Sequence, residues 1–181
     1  MGITTERNVV LYISMSLDGY IATKSNSIDF LSLVEHEGED YGYQDFVDSV
    51  DTVIIGRKTY QKVIDMGFDY PHTDKEVYII TRNTKAKHNT FNFYSGDLPS
   101  LLRRLKKQSG KHIYCDGGSE IANELMKHNL IDELIISIIP VLLGDGIRLF
   151  NNGRPEHTLT LVSAKQFDKG LTQLHYKINK K

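Results

Sequence analysis

The sequence predicts an α/β fold: a mostly parallel sheet with helices on its faces, finishing in an antiparallel hairpin. Three observations predict it. Short β-rich runs alternate along the chain with helical patterns, the rhythm of strand–helix–strand units. In two places, "TVIIGRKTYQKV" and "HIYCDGGSEIANELM", a β-branched or apolar run ends in glycine directly before a helical pattern. The last two β-rich runs are joined only by "FDKG", a turn short enough to make an antiparallel hairpin.

The strand runs fall at residues 9–15, 53–55, 77–81, 113–115, 134–141, 159–166 and 172–178, with a weaker one at 91–94. Helical patterns lie at 43–49, from just after Gly56, at 98–108 and at 119–128. The third helix is the best specified. Asp97 is its N-cap, Pro99 sits in the first turn where a missing donor is harmless, and Gly110 can take the left-handed conformation that ends it. Its tail "RRLKKQ" suits the negative end of the helix dipole and reads as a solvated terminus.

A chain of 181 residues, 40% of them hydrophobic, can bury one sizeable core, so a single domain over residues 1–181 is expected. Lys and Arg number 22 against 23 Asp and Glu, which leaves no basic field for nucleic acid or an anionic membrane. Any anion must be bound locally. The longest apolar stretches run to about ten residues, and "LIISIIPVLL" contains a proline, against the roughly 20 needed to span a bilayer. "MGITTERNVV" does not read as a signal peptide, and Glu6 stands where a myristoylation start wants a small residue. Cys115 is the only cysteine, which excludes an internal disulfide and suits a reducing cytoplasm, the expected location. The seven histidines show no i, i+4 pairing, so no metal is expected.

The two glycine junctions carry the chemistry. After Gly56 a helix opens with Arg57, Lys58 and Thr59, so exposed N–H groups and the positive end of the dipole meet two cations and a hydroxyl. An ordinary helix start with surface cations would look the same. At the second junction Gly117 and Gly118 put side-chain-free backbone where a strand's carboxyl end meets a helix opened by Ser119. That is the ligand edge of an open α/β sheet, although a tight turn also calls for glycine. The pattern is not GxGxxG, which disfavours an ordinary dinucleotide fold, yet two phosphate-competent helix starts suggest a diphosphate ligand. A third strand end, Thr81, Arg82 and Asn83 in "YIITRNTK", could grip an adenosine, or present an exposed loop arginine.

Taken in order, "SMSLDGYIA", "IIGRKTYQ", "YIITRN", "CDGGSEIANEL" and "PVLLGDGIRLF" resemble the dihydrofolate reductase-like superfamily. The branch is the reductase, or RibD C-terminal, domain of the bacterial bifunctional riboflavin-biosynthesis enzyme. The resemblance implies a three-layer α/β/α fold with a mixed, mostly parallel eight-stranded sheet, and an NADPH-dependent reductase that dimerises. It implies that backbone near Ser14 and Ile21 meets the nicotinamide carboxamide. Gly56, Arg57, Lys58 and Thr59 would hold the diphosphate and 2′-phosphate side, and Thr81, Arg82 and Asn83 the adenosine phosphate. Gly117, Gly118, Ser119, Glu120 and Ile121 would hold the diphosphate again, and residues 22–31 would form a mobile loop over the nicotinamide.

The departures concern substrate. The family's pterin-binding carboxylate has its nearest counterpart in Asp40, within "EHEGEDYGYQDF", which reads equally as a solvated acidic turn. Asp116, at a position facing substrate in the family pattern, is the stronger carboxylate, and Ser137 aligns with a pocket hydroxyl. Asp18 and Asp29 flank the loop as weaker candidates, Asp18 also reading as a cap on the Gly19 turn. The arginine-rich "NPxLTxR"-like segment of the riboflavin-pathway reductase and the zinc motif of its deaminase are both missing. The expected activity is hydride transfer from NADPH to a pterin-like or ribosylaminopyrimidine-like heterocycle. A non-catalytic NADP(H)-binding sensor or sequestering protein is the alternative.

Overall fold

The computed structural model describes residues 7–83 and 91–180. The elements run β1 (Val9–Ser16), β2 (Tyr20–Ala22), a 3-10 helix (Asp29–Val34), α1 (Tyr43–Asp48), β3 (Val50–Gly56), α2 (Arg57–Asp65), β4 (Glu76–Ile80) and β5 (Asn92–Tyr94). They continue with α3 (Leu98–Lys106), β6 (His112–Gly117), α4 (Ser119–Lys127), β7 (Glu133–Ile139), β8 (Ile147–Arg148), β9 (Leu159–Gln166), a 3-10 turn (Asp168–Gly170) and β10 (Thr172–Ile178). Eight strands form one sheet in the order β5-β4-β3-β6-β1-β7-β10-β9. The first six are parallel, and β10 runs antiparallel to both β7 and β9. The mixed, mostly parallel eight-stranded sheet with its C-terminal hairpin is the fold expected from the sequence.

Side-chain alternation builds the layers. On β1, β3 and β6, Leu11, Ile54, Ile113 and Cys115 point to the face covered by α3 and α4. Val10, Val53, Ile55 and Tyr114 point to the opposite face, under Phe46 of α1 and Tyr60 of α2. These central strands are buried on both faces, which is why they read as continuous apolar runs.

Several boundaries move for identifiable reasons. The run at 134–141 stops at Ile139 because Pro140 has no N–H for the ladder. Asp97 does cap α3, accepting from the Ser100 N–H at 2.8 Å. Gly110, however, lies beyond that helix's C-cap, Lys107. A Cβ there would come within 2.5 Å of Asp51 Oδ2 and 3.1 Å of Arg7, so close approach of the Arg7–Asp51 ion pair, not helix ending, requires the glycine. The stretch expected as a loop at 22–31 is shorter: Ala22 closes β2, and the 3-10 helix begins at Asp29.

The β2–β8 ribbon was not anticipated, and it explains why "SLDGYIA" and "LLGDGIRLF" occur together. Asp18 accepts from the backbone N–H of Leu143 (3.1 Å) and Gly144 (2.7 Å) and from Ser16 Oγ (2.6 Å). It staples the two motifs, and these donors hold its carboxyl below the usual range. Gly146, at φ 152°, passes so close to the Ala22 carbonyl that a Cβ would sit 2.2 Å from that oxygen. The "LIISIIPVLL" segment forms β7, paired on both sides by β1 and β10, with Leu134, Ile136 and Ile139 buried. Beyond Ile139 the segment leaves the sheet, and Leu142 is exposed.

Candidate functional site

A cleft of about 2190 Å³ lies at the carboxyl ends of the parallel strands, between the starts of α2 and α4 on one side and the 3-10 helix and α1 on the other. Its shape follows from strand order. Because β3 and β6 are neighbours, the helices that follow them begin side by side.

The two helix starts touch. Thr59 Oγ1 accepts from the Gly118 N–H at 3.0 Å. A Cβ on Gly118 would lie 3.0 Å from that same oxygen, and one on Gly56 would lie 3.2 Å from Ile121 Cγ1. Ile21 Cδ1 reaches the same point, 3.9 Å from the Gly118 Cβ position. Gly117 has φ 93°, and its peptide to Gly118 is cis. Ser14, Ile21, Gly56, Arg57, Lys58, Thr59, Gly118, Ser119, Glu120 and Ile121 all line the cleft, with Thr81, Arg82 and Asn83 beyond them. Gly117 does not, because it is the buried hinge of the turn.

This cradle fits a dinucleotide diphosphate. Bare backbone at Gly56 and Gly118 meets two helix N-termini, with exposed Arg57 and Arg82 alongside. Lys58 Nζ pairs with Glu120 Oε1 at 2.7 Å, but both side chains are more than half exposed, and such a pair is worth under about 1 kcal/mol. An incoming phosphate can take Lys58 from it.

Asp116 follows Tyr114 by two residues on β6, so both face the cleft side of the sheet. Tyr114 Oη donates to Asp116 Oδ1 at 2.8 Å, and Tyr70 Oη donates to Oδ2 at 2.6 Å. Burial pushes the Asp116 carboxyl up to about 6, and the two phenol hydrogen bonds pull against that rise. Burial and the Asp116 charge push both phenols up, so they stay protonated and keep donating. A second cavity, of about 380 Å³ and walled by Tyr43, Tyr70 and His72, also reaches Asp116.

Asp40 lines the cleft but is otherwise engaged. Its carboxylate accepts from the N–H groups of Gln44 and Gly42, each at 2.9 Å, and these bonds hold its carboxyl below the usual range. An acid in that state is a poor proton donor near neutrality, whereas the Asp116 carboxyl is shifted toward it. Asp40 opens α1 instead. Ser137 is buried beside Ser14, its register partner on β1, and accepts from Gln173 Nε2 at 3.2 Å. Gln173 also donates to Tyr12 Oη and to the Tyr41 carbonyl.

Sequence reasoning passed over Tyr12, Tyr43, Tyr70, His72, Tyr114 and Gln173. The available signal was tyrosine placement: Tyr12 and Tyr114 interrupt otherwise aliphatic central strands, where a phenol needs a polar partner. Among the described residues there is no cluster of three or more His, Cys, Asp or Glu side chains able to hold a metal, and no helix long and apolar enough to cross a membrane.

The RibD C-terminal domain model matches residues 7–173. The chain belongs to the RibD C-terminal domain family. It is 44% identical over 174 residues to the uncharacterized protein YwjB of Bacillus subtilis (strain 168), covering 94% of this chain and 98% of that one. The crystal structure of a "putative riboflavin biosynthesis protein" from Shewanella sp. PV-4 superposes with a TM-score of 0.86 at 27% identity, over 96% of this chain and 99% of the other. Dihydrofolate reductase from Enterococcus faecalis, solved with NADP(H), gives 0.69 at 14% identity over 96% and 97%, a likeness of fold.

Proposed function

We propose that this protein is an NADPH-dependent reductase that delivers hydride to a planar pterin-like or aminopyrimidine-like heterocycle. One observation carries the reading: two residues before Gly118 of the glycine cradle formed by two helix starts, β6 carries a carboxyl group that burial pushes up to about 6. A binding place for a diphosphate and a proton-carrying acid are thus built from one turn.

NADPH would supply the hydride. Gly56, Thr59, Gly118 and Ser119 hold the diphosphate at the paired helix starts, and Arg57, Lys58 and Arg82 meet the 2′-phosphate and adenosine side. Thr81, Asn83, Glu120 and Ile121 complete that wall, while Ser14 and Ile21 border the nicotinamide position. Asp116 delivers the proton that must accompany hydride, since a carboxyl near 6 is partly protonated at neutral pH and releases readily. Tyr70 and Tyr114 fix its orientation. Ser137, held by Gln173, offers the ring a neutral hydroxyl.

Fluorescence titration of the protein with NADPH and NADH tests the cofactor assignment. Micromolar binding of NADPH with at least tenfold weaker NADH is expected, and no binding of either, or a preference for NADH, contradicts it. Steady NADPH oxidation with a pteridine or aminopyrimidine, lost in Asp116→Asn, separates the reductase from a cofactor-binding protein without turnover.

A further inference from the structure

The cations that line the cleft are confined to one end, where Asp65, Glu120 and Glu124 accompany them, whereas the charged groups of the other end are all acidic. These cations lie on α2 (Arg57, Lys58, Lys62), after β4 (Arg82), at the end of α4 (Lys127) and past β8 (Arg154). The opposite end is walled by β1, the 3-10 helix, α1, β6 and β7. Among the described residues no lysine or arginine lines this end, whereas Glu35, Asp40 and Asp116 do. Lys169 comes near, but it donates to the Glu35 carbonyl and stays outside the lining. Other polar groups here are neutral, among them Tyr12 Oη, Ser137 Oγ and Tyr43 Oη.

A phosphate monoester carries roughly −1.5 to −2 charges near neutrality and is held in proteins by arginine, lysine or helix N-termini. The inner end of this cleft has none of the first two and opposes such a group with carboxylates. α1 is only six residues long, and Asp40, just before it, already accepts from the N–H groups of Gly42 and Gln44 at its start. We propose that the heterocycle accepted here carries no phosphate: it is a neutral or cationic ring with N–H donors, its substituent lying beside Leu31, Val34 and Leu171. The inference rests on the reductase reading and narrows it, separating this chain from a reductase of phosphoribosylated pyrimidines. The cleft sorts its ligands by charge, the phosphates of the cofactor to the cationic end and the ring to the acidic end.

The test uses twins that differ only by phosphate: 7,8-dihydroneopterin and its 3′-monophosphate, and 5-amino-6-(ribosylamino)uracil and its 5′-phosphate. Each is titrated calorimetrically into the NADPH-loaded full chain. At least one unphosphorylated ring is expected to bind at least tenfold more tightly than its twin, and Glu35→Lys is expected to narrow that gap at least threefold. A phosphorylated twin binding as tightly as its partner overturns the proposal, the more so if Lys62→Gln weakens it. Binding of NADPH with none of the four rings also overturns the proposal while leaving the cofactor assignment standing. Failure to bind NADPH defeats the reductase reading itself.

Discussion

Replacing Asp116 by Asn removes the ionisable group on which both the proposed chemistry and a measurable cost to the fold depend. Its carboxyl is raised from 3.8 to about 6 by burial. Each pKa unit corresponds to about 1.4 kcal/mol of differential stabilisation, so ionised Asp116 costs the folded state roughly 3 kcal/mol. The direction follows from proton binding. Between about pH 4 and 6 the folded chain holds this proton and the unfolded chain does not, so stability is lost as pH rises through that window. His72 works the other way, since burial lowers its pKa, so the wild-type profile alone mixes the two. The difference between wild type and Asp116→Asn isolates Asp116. Urea unfolding at pH 4.5 and pH 8 should show the variant gaining about 2 kcal/mol on wild type across that range, or about 4–8 °C in Tm for a chain of this size. A difference between the two proteins that does not change with pH would refute the placement of Asp116 as a buried acid.

Three further outcomes follow from the same geometry. Tyr70→Phe removes a hydrogen bond that favours the ionised carboxylate, so the Asp116 pKa should rise further and the alkaline limb of the kcat/KM profile should move upward, read from initial rates across pH 5–9. Thr59→Val is nearly isosteric but removes the acceptor for the Gly118 N–H, which should weaken NADPH about tenfold and destabilise the fold by about 1–2 kcal/mol, measured by titration and urea unfolding. Lys106→Met breaks the buried Lys106–Asp132 pair of 2.6 Å and should cost about 3 kcal/mol in urea while leaving NADPH affinity unchanged.

The sheet was legible because its strands are buried on both faces and its helices begin at glycines, so periodicity and punctuation agreed. The close approach of the two helix starts was legible for the same reason: a Cβ at Gly56 would press on Ile121 and one at Gly118 on Thr59. What escaped were features fixed by partners distant in sequence. Gly110 looked like a helix cap because nothing local announces the Arg7–Asp51 pair it accommodates. Asp18 looked like a turn residue because Leu143 and Gly144 lie more than 120 residues away. Asp116 was ranked above Asp40 only by resemblance, because the physical difference between them is environmental: backbone donors around one, burial and two phenols around the other.

Hydride transfer is tested most directly by following the label. The protein is incubated with NADPH deuterated at C4 and the unphosphorylated ring that it binds best, and the product is weighed by mass spectrometry. A product heavier by one deuterium, formed in step with cofactor oxidation and absent with Asp116→Asn, is the predicted result. Cofactor consumed without label in the ring, or a ring left unchanged while NADPH stays bound, would contradict the account.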